Sequence, residues 1–377
     1  MDELWKNPSF ATHAFAAAGS VTLGTALTYP LDAIKTIIQV SSSSRKQFTS
    51  TQVIDRILSL SGPSGLYSGF GWSTFGRITS LGARFGTYEV LTAFYKDGRE
   101  DNYVYVYEAL LAGIAAGAVE SLISSPFELF KLRAQVTSAT RAPTAMPSNR
   151  IFVAPMSLRL LHRNVLDKKA LAHSVSLLSV LTSSHQNLTD ALKNYPWMMT
   201  GSGKLPAVSD VRHPLEIVRL EGVGALWRSL RAGVVRDSIF GGVFFSMWQF
   251  LHLAILNWKA VQIHPPPLSD DDIGPLSPLE VSLAAGFSGS AAAAASHGFD
   301  TARCRSQCTV LPKFVSMERR FLRWKRPGNL FERVSGIHPA DRNILFRGIL
   351  LRMARSGFAS FMIVGSYFLA VDHLLAK

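Results

Sequence analysis

Six apolar stretches of the chain are each long enough to cross a membrane as a helix, since about 20 helical residues span about 30 Å of hydrocarbon. They lie at residues 11–39, 70–96, 105–135, 230–257, 279–308 and 345–374. Each stretch also contains glycines and at least one charge, such as Asp32, Arg84, Glu120, Arg236, Asp300 and Arg355. Charges in spanning helices are costly and normally face a bundle interior or a watery cavity. The pattern therefore predicts six helices around a polar pathway.

The composition excludes several other classes of protein. Charged residues make up 17% of the chain and hydrophobic residues 47%, whereas soluble domains carry about 25% charged residues. Two cysteines and ordinary glycine and proline contents exclude a disulfide-stapled, collagenous or disordered chain. The 39 basic against 26 acidic residues leave nucleic acid, anionic lipid and anionic solutes open as partners. The first ten residues do not resemble a signal peptide or a presequence, so we expect internal targeting.

One polar pattern occurs three times: an acid, a base three residues later, and a glutamine four residues beyond the base. The copies are Asp32, Lys35 and Gln39; Glu128, Lys131 and Gln135; and Asp300, Arg303 and Gln307. Chance predicts fewer than one copy in a chain of this composition. Each copy ends an odd-numbered stretch, and helix kinks are predicted at Pro30, Pro126 and Gly298. A second signature follows at 61–69, at 221–229 and, in a degraded form, in the stretch that ends at Gly348.

The triplicated motif with its following elements resembles the mitochondrial carrier family of solute exchangers. The resemblance implies an all-α membrane protein with six transmembrane helices in three pseudo-symmetric repeats and short matrix helices. We expect the repeats at 1–104, 105–278 and 279–377. It also implies a multi-pass protein of the mitochondrial inner membrane, with a peroxisomal or plastid membrane as the alternative. An insertion at about 137–210 is predicted to be mostly disordered, either as a tolerated expansion or as a docking segment.

Residues three apart share a face of a helix, so the acid and base of each motif point the same way. The resemblance implies that they pair between repeats and close the matrix side of a central cavity: Asp32 with Lys131, Glu128 with Arg303, and Asp300 with Lys35. It also implies that Gln39, Gln135 and Gln307 brace this matrix gate. The alternative is that these charges only snorkel from helix ends.

A second gate, on the cytosolic side, has weaker support. The resemblance places its aromatic and acidic positions at Tyr88-Glu89, Trp248-Gln249 and Tyr367-Phe368. Only Glu89 is charged, so we expect closure by aromatic packing and hydrogen bonds, or a protein that no longer cycles. Loops after odd stretches are basic and loops after even stretches are acidic. This alternation predicts that odd loops face the matrix and both termini face the intermembrane space.

Solute contacts are expected on the even helices. The resemblance implies Gly76 with Arg77, Arg236 with Asp237, and Arg355 with Ser356, while Arg84 and Arg352 add positive charge. An arginine beside an acid suits a zwitterion, because the guanidinium binds a carboxylate and the carboxylate binds an ammonium group. Alternatively, Asp237 merely neutralises Arg236. The glycine at position 76 is expected to leave room for a larger solute.

The sequence also leads to expectations about lipid binding, the two cysteines and helix packing. By resemblance, cardiolipin is expected at Gly69, Arg228, Arg347 and Gly348, and the basic, aromatic segment 313–327 suits anionic lipid better than nucleic acid. Cys304 and Cys308 have too few companion ligands for zinc, so we expect packing thiols and no metal or other cofactor. Small residues four apart favour close helix contact in lipid, as at Gly113 with Gly117 and Gly82 with Gly86.

Three hypotheses for function remain. The favoured one is exchange of a small anionic or zwitterionic metabolite, amino-acid-like, by alternating access. A nucleotide or cofactor carrier is the second. A non-transporting scaffold or receptor is the third. We expect a monomer, and no catalytic constellation indicates an enzyme.

Overall fold

The computed structural model describes residues 8–41, 49–97, 104–140, 208, 211, 213–262, 276–308, 310 and 345–375. The chain divides into two compact units, one of Met1–Thr140, Leu226–Cys308 and Gly328–Lys377, the other of Arg141–Ala225 and Thr309–Pro327. Most of the predicted insertion and the basic segment 313–327 lie outside the described residues.

Every regular element in the described part of the chain is helical. Its nine α-helices are α1 (Pro8–Ser41), α2 (Ser50–Ser61), α3 (Phe70–Lys96), α4 (Val106–Thr140), α5 (Pro214–Glu221), α6 (Leu230–Gln262), α7 (Pro278–Ala295), α8 (His297–Gln307) and α9 (Ile349–Leu375). Short 3-10 segments at Pro63–Tyr67 and Val223–Trp227 precede α3 and α6. In the smaller unit, α5 is capped by Glu216, whose Oε2 accepts from the His213 backbone N–H at 3.2 Å.

The long helices of the larger unit form a closed ring. Helix α1 packs on α3, α3 on α4, α4 on α6, α6 on α7, α7 on α9, and α9 again on α1. Helix α8 continues from α7 and contacts α1, α4 and α6. In the described part, three helical stretches are long and apolar enough to cross a membrane: Val106–Thr140, Val223–Gln262 and Ile349–His373.

The third odd segment is broken where the first two are continuous. Pro30 lies inside α1 and Pro126 inside α4, yet neither helix is interrupted. The break falls at Ser296 rather than at Gly298, which lies inside α8. Ser296 Oγ donates to the Ala292 carbonyl at 2.8 Å and accepts from Arg352 Nη2 at 2.7 Å. A serine that bonds back to the preceding turn bends a helix, and here a cross-helix donor holds it in place.

Glycines set the closest helix crossings. A methyl group added to Gly113 would collide with the Gly241 carbonyl, and one added to Gly117 with the Asp237 carbonyl, so the backbones of α4 and α6 are in contact there. By contrast, a methyl group added to Gly82 or Gly86 would have no described atom within 4 Å. The expectation of a close contact at this second pair is therefore wrong, because their face of α3 meets no neighbouring helix in the described structure.

The even helices begin in the same way in all three repeats. Gly69, Ser229 and Gly348 precede α3, α6 and α9 with φ angles of 84°, 69° and 79°. This left-handed conformation suits glycine and is unfavourable for a residue with a Cβ atom. Ser229 is the one non-glycine residue with positive φ in the described part of the chain, so the second repeat carries strain that the other two avoid.

Candidate functional site

A cavity inside the ring collects side chains from α1, α3, α4, α6, α8 and α9. It contains about 130 Å³ of free space. The residues predicted to contact a solute all line it: Gly76, Arg77, Arg84, Arg236, Asp237, Arg352, Arg355 and Ser356. Residues that are far apart in the chain thus share one polar chamber in a ring of apolar helices.

The structure brings together the three acid–base pairs expected for a gate. Lys131 Nζ lies 2.8 Å from Asp32 Oδ2, and Lys35 Nζ lies 2.8 Å from Asp300 Oδ2. Arg303 Nη1 lies 2.6 Å from Glu128 Oε2. Each pair joins two different repeats, so the three contacts form a closed circuit. The side chains of Asp32, Asp300 and Arg303 are at most 3% exposed, so these are not helix-end charges that snorkel to solvent.

Two of the three expected glutamine braces contact the acids. Gln39 Nε2 donates to Asp300 Oδ2 at 3.2 Å and to Thr301 Oγ1 at 3.1 Å. Gln135 Nε2 donates to Asp32 Oδ2 at 3.2 Å. Gln307 is buried too, but its Nε2 has no hydrogen-bond partner in the described part of the chain. The bracing is therefore unequal around the circuit.

Arg236 reaches beyond its neighbour Asp237, which the sequence did not suggest. Its Nη2 lies 2.7 Å from Asp237 Oδ1 and 3.0 Å from Glu128 Oε1, and its Nη1 lies 3.1 Å from Asp300 Oδ1. One guanidinium thus contacts carboxylates on α4, α6 and α8. Asp237 in turn lies 3.5 Å from Arg303, so it does more than neutralise Arg236.

Two further arginines approach the same acids from α9. Arg355 Nε lies 3.3 Å from Asp32 Oδ1, and Arg352 Nε lies 3.6 Å from Asp300 Oδ2. Every acid of the circuit therefore has at least two cationic partners. The only sequence signal was the presence of arginines in an apolar stretch, which does not say where their long side chains reach.

An additional ion pair spans the cavity wall. Arg84 on α3 binds Glu120 on α4, and the Arg84 guanidinium lies 4.7 Å from the Phe240 ring centre on α6. Sequence reasoning treated Glu120 only as a charge in an apolar stretch and did not include it in the site. Arg77 differs from Arg84, because its Nη1 donates to Thr25 Oγ1 at 3.3 Å and no carboxylate lies within ion-pair distance among the described residues.

Gly76 does not leave room for a large solute. A methyl group there would lie 2.6 Å from Phe127 Cβ, so α4 already fills the space. The glycine instead lets α3 and α4 approach each other, and the expectation of extra room is wrong at this point.

The cavity as a whole is positively charged. Its lining contains seven cations, Lys35, Arg77, Arg84, Lys131, Arg236, Arg352 and Arg355, against the five acids Asp32, Glu120, Glu128, Asp237 and Asp300. The excess of two positive charges favours an anionic ligand.

The residues expected for the cytosolic gate make weaker contacts. The Tyr88 ring stacks on Phe245 with 3.7 Å between ring centres, and Gln249 Nε2 donates to the Val104 carbonyl at 2.9 Å. Tyr367 Oη lies 3.0 Å from His13 Nδ1. Trp248 is half-buried and Glu89 is exposed. The Tyr88 stacking connects α3 with α6, which are not neighbours in the ring.

The expected lipid elements lie at the starts of even helices. Gly69 and Gly348 adopt the left-handed conformation described above, and Arg228 and Arg347 each precede such a residue. The Arg347 carbonyl lies 3.1 Å from His297 Nε2 and so connects the start of α9 to α8.

Comparison with known proteins agrees with this architecture. The family model for mitochondrial carrier proteins matches residues 6–99. A mitochondrial arginine transporter of Arabidopsis thaliana is 24% identical over 285 residues, which cover 66% of this chain and 91% of that protein. A mitochondrial coenzyme A transporter of Homo sapiens is 30% identical over 35% of this chain and 41% of its own length. An ADP,ATP carrier protein of Parachlorella kessleri is 31% identical over 34% of this chain and 38% of its own length.

A ring of long apolar helices around an ion-paired cavity is the architecture of a solute carrier. More specifically, the model match over residues 6–99 and the relatives, which are mitochondrial transporters and carriers, support a member of the mitochondrial carrier family. The expectation of an all-α carrier fold is thereby confirmed. The relatives are named as transporters or carriers, which supports, at the level of the family, the expectation that this chain is not an enzyme. The match spans nearly all of the arginine transporter and less than half of the other two proteins.

Proposed function

We propose that the protein exchanges a small anionic or zwitterionic metabolite across the mitochondrial inner membrane by alternating access. The observation that carries this proposal is the cavity, whose lining contains all eight expected solute contacts and five of the six residues of a circuit of three ion pairs between repeats. A chamber lined by residues of an ion-paired circuit, with weaker aromatic contacts outside its lining, is suited to opening on alternate sides.

The strength of the circuit is compatible with a gate. An ion pair contributes about 1 kcal/mol in water and about 4 kcal/mol at an intermediate effective dielectric. Three pairs therefore provide a few kcal/mol, which holds a gate closed at rest. A ligand must bind one state about 10⁴-fold more tightly than the other to reverse such an equilibrium fully.

The charges in the cavity support the class of solute. The excess of cations favours a carboxylate or a phosphate, and Arg77 provides a guanidinium that has no acidic partner among the described residues. The adjacent acid and base at Arg236 and Asp237, and the pair at Arg84 and Glu120, suit a solute that also carries an ammonium group. The similarity to an arginine transporter supports an amino-acid-like solute.

A nucleotide or cofactor is the second candidate. The arginines of the cavity bind phosphate as readily as carboxylate, and the relatives that are 30% and 31% identical are named as a coenzyme A transporter and an ADP,ATP carrier. The filled space at Gly76 favours the smaller solute.

The setting in the membrane is part of the proposal. The charge of the loops orients odd loops to the matrix and both termini to the intermembrane space. Backbone N–H groups at the starts of α3, α6 and α9 suit the phosphates of cardiolipin at Gly69, Arg228, Arg347 and Gly348. The helix ring closes within one chain, which supports a monomer.

Purified protein in liposomes tests the proposal. The vesicles are loaded separately with arginine, glutamate, malate, ATP and coenzyme A, and uptake of the same labelled solute is followed. We expect exchange of at least one solute and its loss in Arg236→Ala, while Arg231→Ala, an exposed arginine on the same helix, retains it. A folded protein that exchanges none of these solutes would support the scaffold or receptor alternative.

A further inference from the structure

A second cavity, here called the aliphatic cavity, lies where α2 packs against the C-terminal ends of α1 and α4. It contains about 230 Å³ of free space and shares no lining residue with the solute cavity in the described structure. Its walls are Ile37 and Val40 of α1, Val53 of α2, and Val136 and Ala139 of α4. Arg56 and Thr140 complete the lining, and both are exposed, so the aliphatic cavity opens to the surface beside them.

The polar groups of this lining are already hydrogen-bonded within the protein. Thr140 Oγ1 donates to the Val136 carbonyl at 3.0 Å, and Arg56 Nε donates to the Ala139 carbonyl at 2.9 Å. A water molecule inside a protein needs several polar partners, and aliphatic walls provide none. The aliphatic cavity therefore suits hydrocarbon better than water or a polar metabolite.

Arg56 places a cationic group at the edge of the aliphatic cavity. The bond from Nε to the Ala139 carbonyl holds the guanidinium against the wall. Its two Nη groups have no hydrogen-bond or ion-pair partner among the described residues, and the neighbouring Asp55 forms no ion pair there either. A guanidinium can donate two parallel hydrogen bonds to a carboxylate. The site therefore matches a ligand with an apolar chain and an anionic head.

The position of the aliphatic cavity fits such an amphiphile. Helix α1 has 34 residues and α4 has 35, so each is about 50 Å long, whereas the hydrocarbon of a membrane is about 30 Å thick. Val40 and Ala139 belong to the last turns of these helices, so the aliphatic cavity lies near a membrane surface. Helix α2 buries Val53 and Ile57 and exposes Arg56, a pattern typical of a helix that lies along such an interface.

We propose that the aliphatic cavity binds a fatty acid, whose chain lies between the aliphatic walls and whose carboxylate accepts hydrogen bonds from the Nη groups of Arg56. A methylene group takes up nearly as much volume as a water molecule, about 30 Å³, so a chain of about eight carbons fills the available space. A phospholipid, with two longer chains and a larger head, fits less well. A bound chain contacts α1, α2 and α4 at once and therefore stabilises their packing.

Photolabelling in liposomes tests the inference. The probe is octanoic acid with a diazirine in its chain, and labelled positions are mapped by mass spectrometry. We expect label on the walls of the aliphatic cavity and about five-fold less of it in Arg56→Gln. Arg219→Gln, which changes an exposed arginine on another short helix, should be labelled as the wild type. Excess octanoate should compete, whereas butyrate should not, because its chain is too short. Equal labelling of the wild type and Arg56→Gln would overturn the inference.

Two variants that fill the aliphatic cavity test its apolar part. Ala139→Leu and Val40→Phe should each reduce labelling about five-fold or more, because they occupy the space of the chain. Val40 is half-buried, so Val40→Phe keeps the test decisive if Ala139→Leu does not fold. Unchanged labelling in a folded filling variant would contradict the inference.

A phosphatidylcholine with the diazirine in one chain distinguishes a fatty acid from membrane lipid. We expect this second probe not to label the walls of the aliphatic cavity, and labelling as strong as that by the octanoic acid probe would show that the site takes lipid chains in general and would reject a fatty acid site. None of these measurements needs solute exchange. The inference and the proposed function can therefore fail separately.

Discussion

Lys131 Nζ and Asp32 Oδ2 lie 2.8 Å apart, but the two residues are not equally dependent on each other. Asp32 also contacts Arg355 and, at 4.0 Å, Lys35. In the described structure Lys131 has Asp32 as its ion-pair partner. Loss of the acid therefore leaves both Lys131 and Arg355 without an ion-pair partner among the described residues, whereas loss of the lysine leaves the acid paired.

Asp32→Asn should accordingly destabilise the protein more than Lys131→Met. Removing one partner of a buried pair costs about 3–5 kcal/mol, and we expect Asp32→Asn to lie in that range. Lys131→Met should cost at most about half as much. Unfolding can be followed with a thiol-reactive dye, because Cys304 is only 7% exposed in the folded protein. Equal losses of unfolding free energy in the two variants would show that the contacts of Asp32 with Arg355 and Lys35 do not stabilise the protein.

Ser229→Gly should stabilise the fold. Ser229 has a φ angle of 69°, and its Oγ makes no hydrogen bond in the described part of the chain. Glycine removes the strain of a left-handed residue with a Cβ atom, which costs about 1–2 kcal/mol. Part of this gain in stability is lost again, because glycine raises the conformational entropy of the unfolded chain. We expect a rise in the unfolding midpoint for Ser229→Gly and a fall for the mirror variant Gly348→Ser. A lower midpoint for Ser229→Gly would contradict this account.

Gly117→Ala and Gly82→Ala form a matched pair of tests for helix contact. A methyl group at Gly117 meets the Asp237 carbonyl, whereas one at Gly82 meets nothing within 4 Å in the described structure. We expect Gly117→Ala to cost about 1–3 kcal/mol of stability. Gly82→Ala should be neutral or stabilise the helix by up to about 1 kcal/mol. Thermal unfolding of both variants decides the matter, and similar midpoints would show that α4 and α6 separate at little cost.

Arg77 and Arg84 lie two helical turns apart on α3, and both line the cavity, but only Arg84 is bound to an acid among the residues that the structure describes. Arg77→Gln should therefore raise the KM for the exchanged solute about ten-fold or more, with less than about 0.5 kcal/mol lost from stability. Arg84→Gln should lower the unfolding midpoint clearly, because Glu120 is left buried without its cation. Measured KM values and midpoints for both variants separate the two roles. A large loss of stability in Arg77→Gln would show that it is a structural residue.

Tyr88→Ala should weaken the connection between α3 and α6. The Tyr88 and Phe245 rings stack with an interplanar angle of 7°, and such aromatic pairs contribute about 0.5–1.5 kcal/mol beyond the burial of their surface. Tyr88→Phe keeps the ring and should behave as the wild type in thermal unfolding. If Tyr88→Phe is as unstable as Tyr88→Ala, the hydroxyl group and not the stacking is important.

The motif pairs were predictable because their geometry is local. A spacing of three residues fixes the acid and the base on one helix face, and the threefold repetition of that face at Asp32, Glu128 and Asp300 implies a common axis. The resemblance then supplied the partners. The helix contacts at Gly113 and Gly117 were predictable for a similar reason, since small residues four apart form a stripe wherever the helix lies.

The contacts of Arg236, Arg352 and Arg355 with the motif acids were not predictable, because they depend on long side chains that cross between helices. Nothing in the spacing of Arg236 indicates that it reaches Glu128 and Asp300 on other helices. The same holds for Glu120, whose partner Arg84 is on a neighbouring helix. The kink prediction at Gly298 was misplaced by two residues, because a side-chain hydrogen bond at Ser296 and not backbone freedom sets the break.

The break at Ser296 has a mechanical consequence. It separates α8 from α7, and α8 carries both Asp300 and Arg303, which hold the ends of two of the three contacts between repeats. A rotation of α8 about Ser296 would break both ion pairs at once and leave only the ion pair between Asp32 and Lys131. The odd segment of the third repeat is thus the one that is interrupted, whereas those of the first two repeats are continuous. We expect the movement that opens the cavity to start at this interruption.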